Sequence, residues 1–468
     1  MKSRTLLLWV VAALCTSVPA LAQLPPAHDL GPRAGGIGAG QPLATLSADE
    51  LKFFQDGLAR FNQADSVRGG LADGPGIGLG PTFNSNSCGS CHAQPSTGGS
   101  SPSANVYPRV GPNPQIALAT AHGAHNTVPS FLTPDGPVRE ARFPFLVNTD
   151  GSIGRVADGG VHALFTIAGR DDAGACNLPQ TDFARMQQLG NIVFRIPTPV
   201  YGAGLIENIG DATILANMAA NGQLKQQLGI AGHTNNSGND GSITRFGWKA
   251  QNKSLQIFSG EAYNVEMGVT NELFPNERAN PPASCLLNPT PEDLTNFALS
   301  STGIPSDTIG FSDFMRFLAP PTPSALGIPG NPPAQSIDNG RNVFGRVHCD
   351  VCHTPALQTA TSIYTAGLSN QNAQLYSDLL VHNMGSGLAD QITQGAAGPA
   401  DFRTAPLWGV GQRIFFLHDG RATPANGGLL AAIRAHASTG SEANAVVAAF
   451  NAQSNKDQQD LLNFLRSL

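Results

Sequence analysis

Apolar positions in this chain fall into one unbroken run and four helical stripes. The run spans residues 6–18, behind Lys2 and Arg4 and ahead of Ala20-Leu21-Ala22. A basic start, a short apolar stretch and a small-x-small end are what signal peptidase reads, so residues 1–22 are expected to be a cleaved signal. The run is short of the roughly 20 residues that a spanning helix needs, and no later segment is apolar enough, so no membrane span is expected in the mature chain. The stripes lie further on. Ser47-x-x-Glu50 has the form of a capping box ahead of Leu51, Phe54, Leu58 and Phe61. Phe311, Phe314, Phe317 and Leu318 precede Pro320-Pro321, and Ile337, Gly340 and Phe344 mark a third helix. Leu461, Phe464, Leu465 and Leu468 follow a Ser454-x-x-Asp457 cap at i, i+3, i+4 and i+7.

Between these stripes the composition changes the picture. Charged residues make up 13% of the 468, against Gly 53 and Pro 35, so long loops should join few helices. The length calls for two or three domains. A formal charge of −6 spread over it gives no reason to expect nucleic acid or anionic lipid as a partner.

The chemistry is carried by cysteine. Of seven cysteines, Cys15 falls inside the signal. Four of the remaining six form Cys88-x-x-Cys91-His92 and Cys349-x-x-Cys352-His353. Two thiols on one turn can add to the two vinyl groups of a haem while the adjacent imidazole reaches the iron, so each motif predicts a covalently bound haem c. A zinc site would instead pool both cysteine pairs, which lie far apart, each with its own histidine. Cys176 and Cys285 remain, either as a disulfide in an oxidising compartment or as two unrelated buried thiols.

The two motifs share surroundings. Phe83 and Phe344 each stand five residues before the first cysteine, which suggests one module used twice. The third and fourth helices are expected to cross beside the second haem. A second repeat sets Phe194-Arg195 and Pro199-Val200-Tyr201-Gly202-Ala203-Gly204 against Phe402-Arg403 and Pro406-Leu407-Trp408-Gly409-Val410-Gly411. Each reads as a turn over the distal face of its haem. The fold expected is mainly α, with two cytochrome c-like haem domains: a linker over 23–46, a first domain over 47–321 enlarged by loop-rich insertions, a Pro/Gly linker over 322–333 and a second domain over 334–468.

On these residues the chain resembles the di-haem oxidoreductase family, relatives of bacterial di-haem cytochrome c peroxidases. The resemblance is carried by Gly80-Pro81-Thr82-Phe83-Asn84, Tyr201 to Glu207, Arg245-Phe246-Gly247-Trp248-Lys249-Ala250, His382-Asn383-Met384-Gly385 and Leu417-His418-Asp419-Gly420-Arg421-Ala422. Relatives carry an Asp-rich loop before the Arg-Phe-Gly-Trp segment, whereas residues 233–242 offer Asp240 alone, too few carboxylates for a calcium site. A few extra residues stand at 424–428. An extra cysteine pair of relatives is reduced to Cys285, so a bond to Cys176 is inferred rather than inherited.

The resemblance implies one closed and one reactive haem. For the second, the helix after the His-Asp-Gly-Arg turn offers His436 as sixth ligand, with Met384 as rival, since a Met ligand would raise the potential. For the first, an open or water-bound iron is expected, with His122 and His125 as removable ligands in reserve. Glu207 is the candidate proton relay, and its other reading is a helix cap or ion pair. Trp248 or Trp408 could pass electrons between the haems. Arg403 and Arg421 should lie near propionates, and His418 should hold its turn, while His162, His233, His348 and His382 are read as structural. The implied protein is periplasmic. It would take electrons from a small donor of cytochrome c or cupredoxin type and reduce hydrogen peroxide or another small oxidant. Two other readings stay open: an electron carrier with both haems closed, and an oxidase or oxygenase acting on an organic or protein substrate.

Overall fold

All four stripes form helices, and these cross in two pairs. The computed structural model describes residues 25–34, 38–102, 104–106, 109–288 and 302–468; the signal therefore lies outside the described residues. Helix Ala48–Asn62 begins at the Ser47/Glu50 capping box and packs on helix Asp307–Phe317, with Phe54 and Phe61 against Phe314. Helix Ala334–Arg346 packs in the same way on Asn455–Ser467, with Phe344 against Phe464 at 5.6 Å between ring centroids. A glycine sits at each crossing. A methyl group on Gly57 would strike the Gly310 carbonyl and Phe314, and one on Gly340 the Asp460 carbonyl and Phe464. Close approach of backbones is thus the reason both crossings carry glycine.

These crossings pair the modules differently from their spacing. Phe344 lies 6.4 Å from the His353 ring, and the residue in that role beside His92 is Phe61, at 5.7 Å. Phe83 lies instead in a two-stranded pairing with Phe165 and packs in a separate core cluster. The matched offsets of Phe83 and Phe344 were a coincidence of spacing. The repeated turns, by contrast, are structurally equivalent. Gly202 and Gly409 both adopt positive φ, 64° and 72°, and the second glycine of each turn packs on the end of a crossing helix, Gly204 on Arg316 and Gly411 on Arg466.

"Mainly α" overstates the helix, which makes up 32% of the described residues. The rest is loop with small scattered sheets, because the Gly and Pro content leaves few stretches long enough for a helix. Two sheets matter for the sites. Val193–Arg195, Glu140–Arg142 and Val161–His162 form an antiparallel three-stranded sheet, with Phe194 opposite Ala141 and Ala141 opposite His162. Val381–Asn383 pairs with Asp401–Arg403, placing His382 opposite Phe402.

Two ties close the molecule. Cys176 and Cys285 are disulfide-bonded across 109 residues. The strap of residues 25–34 lies along the last helix. Asp29 pairs with Arg466, both almost fully buried, and caps Leu429 N–H at 2.7 Å, while Arg33 reaches the Leu468 oxygen. The Pro/Gly segment is packed too, with Ser324 N–H donating to Ser467 and Ala34 N–H to Gly327. No described helix is long and apolar enough to cross a membrane.

Candidate haem sites

Each Cys-x-x-Cys-His motif opens into a cavity. The second, about 1,480 Å³, is lined by Cys349, Cys352, His353, Arg403, Arg413 and His436 among others. Burial lowers the His353 imidazole to about 4, so it is neutral at pH 7, and its Nδ1 lies 2.9 Å from the Tyr376 carbonyl. A neutral ring that donates Nδ1–H to a carbonyl keeps the Nε2 lone pair free, the state a metal ligand needs. His436 repeats the arrangement: burial lowers its pKa, Nδ1 lies 2.7 Å from the Ala432 carbonyl, and it stands close enough to His353 to disfavour that ring's protonation further. Met384 lines the same cavity.

The arginines test whether a haem fits. Arg403 and Arg413 are buried cations without an acidic partner, and burial lowers both to about 10. Arg403 Nη1 and Arg413 Nε and Nη2 have no hydrogen-bond acceptor. Buried guanidinium donors left open are costly, and a group with two carboxylates entering this cavity would satisfy them. Haem propionates answer that description.

The first cavity, about 1,140 Å³, is lined by Cys88, Cys91, His92 and Phe61, and by a ring of charge: Arg139, Glu140, Arg142, Arg195, Glu261 and Glu266. His92 is neutral for the same reason as His353, lowered to about 4 by burial, with Nδ1 2.9 Å from the Gly99 carbonyl. Burial also pushes the Cys91 thiol up to about 11 and the Cys349 thiol to about 12. Arg139 Nε and Gln251 Oε1 are buried without partners. Burial, and then the neighbouring Glu140, push Glu266 up to about 8, and Asn84 holds its carboxylate at 2.8 Å. Val200 and Leu407, matched positions of the two repeated turns, face the first and second cavity respectively, as do Arg195 and Arg403.

Several residues singled out in the sequence stand elsewhere. Glu207 does not line the first cavity: it accepts from Leu255 N–H and from Arg316 Nε, both at 2.8 Å, capping one helix and pairing with another. His122 pairs with Asp73 at 3.0 Å, and neither it nor His125 lines either of these two cavities. Arg421 is exposed and pairs with Asp419, and its place at the second cavity is taken by Arg413. Trp408 packs on Gly202, whereas Trp248 lines both cavities and donates Nε1–H to the Ile196 carbonyl at 2.8 Å. His418 stacks on Phe402 at 4.3 Å, and His382 is clamped between Asp378 and Glu442 at 2.9 and 2.7 Å. Asp240 pairs with Lys253. The acids of the first cavity went unnoticed because Glu140 and Glu266 come from separate elements and carry no local motif.

Two neighbouring cavities, each offering a neutral imidazole next to a Cys-x-x-Cys pair, have the donor set of a haem-binding redox protein. The chain belongs to the di-haem oxidoreductase family, whose model matches residues 173–468. No curated protein matches it. Among solved structures, a point variant of the diheme peroxidase BthA from Burkholderia thailandensis is 14% identical, covering 95% of each chain at a TM-score of 0.34. A MauG-like protein associated with microbial copper homeostasis is 16% identical over 58% of this chain and 89% of its own, at 0.27. Hydrazine synthase of Kuenenia stuttgartiensis is 15% identical over 36% of this chain, the match spanning 56% of that one, at 0.22. At these TM-scores the assignment rests on the family model.

Proposed function

We propose that the protein is a periplasmic di-haem c-type cytochrome in which a closed second haem feeds electrons to a reactive first haem that reduces hydrogen peroxide. The supporting observation is the asymmetry of the cavities. The second is lined by five imidazoles, of which His353 and His436 each turn Nδ1 to a backbone carbonyl, whereas among the residues lining the first His92 is the one imidazole, set among Glu140, Glu261 and Glu266. Thioether bonds from Cys88 and Cys91, and from Cys349 and Cys352, would fix one haem in each cavity. The iron supplies electron exchange and, where a coordination position is open, a place for peroxide.

The chain supplies the rest. His92 and His353, oriented through Nδ1, would present Nε2 to the metal. Arg403 and Arg413 would hold propionates at the second site, and at the first the Nε of Arg139, which has no acceptor, would be free for one. Peroxide reduction consumes two electrons and two protons and releases two waters. Glu266, uncharged near neutral pH because of burial and Glu140, stands ready to deliver a proton, the role Glu207 is too far committed to fill. Trp248 stands between the sites as a route for electrons from a small donor protein.

One experiment decides between this reading and a plain electron carrier. The haem-loaded mature protein is reduced by one electron and mixed with one equivalent of peroxide, and each haem's spin and oxidation state is followed by rapid visible and EPR spectroscopy. A high-spin haem that reacts at once is expected, and two unreactive low-spin haems would sink the reading. Glu266→Gln should slow the peroxide step by about 10²–10⁴, the usual worth of a positioned acid.

A further inference from the structure

The partition between the two sites is organised by a charge that lines neither. Lys249 follows Trp248 and its side chain is wholly excluded from solvent. The ammonium donates to the carbonyls of Gly398 at 2.8 Å and Asp401 at 2.9 Å, lies 3.2 Å from Asp390 Oδ1, and sits 4.1 Å from the centroid of the Phe402 ring. Its partners lead in both directions. The other oxygen of Asp390 accepts from Arg195 of the first cavity at 2.6 Å, and Phe402 belongs to the wall of the second.

The backbone around Lys249 is stitched to the same loop. Trp248 C=O accepts from Arg403 N–H at 2.8 Å, Gly247 C=O from Arg403 Nε at 3.0 Å, and Lys249 C=O from Asn235 Nδ2 at 2.9 Å. The indole itself is tied to the Ile196 carbonyl, while the backbone on either side of its Cα is held by Arg403, at the end of the segment that the ammonium pins. Burying an ammonium costs several kcal/mol before its partners repay it. A methionine would fill the same volume without that cost, so stability alone is a poor reason for the charge.

We infer that Lys249 is a positioning residue for electron exchange between the two sites, holding the Trp248 indole in register with both by anchoring residues 390–403 against residues 247–249. The inference rests on the two-haem reading and on Trp248 as the route, but not on peroxide. In the exchange one electron leaves the ferrous second haem, which becomes ferric, and reduces the ferric first haem, with no proton or bond involved.

The test is a double-mutant cycle on the haem-loaded protein: Lys249→Met, Trp248→Phe, and both together. Exchange between the haems is timed after a pulse of one-electron reduction without peroxide, and the reduction potential and optical spectrum of each haem are recorded alongside. Lys249→Met should slow exchange by roughly tenfold or more, as a small misplacement of a critical group does, while both spectra persist. The double variant should be no slower than Trp248→Phe alone. Wild-type exchange in Lys249→Met, wild-type exchange in Trp248→Phe, or slowing that adds in full would each overturn the proposal. Should Lys249→Met fail to load haem, Lys249→Gln removes the charge and shortens the reach to the Gly398 and Asp401 carbonyls, and undiminished exchange in that variant is equally fatal. Because peroxide is absent, a failure here leaves the peroxidase reading standing, and a failure of peroxide reduction leaves this one standing.

Discussion

At the scale of single residues, the sites are defined by imidazoles whose outward nitrogen is freed by what the inner nitrogen does. His92, His353 and His436 all turn Nδ1 to a backbone carbonyl, and of these His436 is the one whose role is open to a direct test. His436→Ala should convert the second haem from low-spin to high-spin in its visible and EPR spectra and leave the first unchanged; a Met384 variant with that effect instead would assign the ligand to the rival. Much at this scale was legible in the sequence, since a haem attachment motif is local and consumes all three of its groups. What was not legible came from the far side of each cavity. Arg413 has no motif, and the raised pKa of Glu266 comes from burial and then from Glu140, a residue more than a hundred positions away that lies on another element, a strand. Glu207 was misjudged because a residue that follows the repeated turn need not face what the turn faces.

At the scale of elements, the two helix crossings are copies with different sequences, and each depends on a glycine at the contact. Helix propensity favours alanine over glycine by about 1 kcal/mol, so Gly340→Ala would stabilise an isolated helix. In this protein the new methyl meets the Asp460 carbonyl and Phe464, and overpacking of that kind costs about 1–3 kcal/mol. Net destabilisation is therefore expected in denaturant melts, with the second haem's environment more disturbed than the first's. The helical stripes were readable because a 3.6-residue period shows through any loop content. The pairing of Phe83 with Phe344 was misleading for the converse reason: equal offsets along a chain say nothing about which element a residue belongs to.

At the scale of the whole molecule, the strap and the last helix share one buried ion pair. Burial opposes ionisation of Asp29, but the hydrogen bond and charge of Arg466, helped by the N–H groups of Leu429 and Gly31, outweigh it and hold its pKa below the ordinary value. A lowered carboxyl contributes stability that is fully present above its unfolded pKa near 4 and is lost as pH falls through the folded value. Asp29→Asn should cost about 3–5 kcal/mol at pH 7, as breaking a buried pair does, and should flatten that part of the acid limb of a stability–pH curve.

The partners in this pair are 437 residues apart, so the strap has no charge to dock on until the helix that carries Arg466 is in place. The second pocket, whose Leu429 wall the strap caps, is consequently closed by a contact between segments remote along the chain, and a protein in which they fail to meet leaves it ajar.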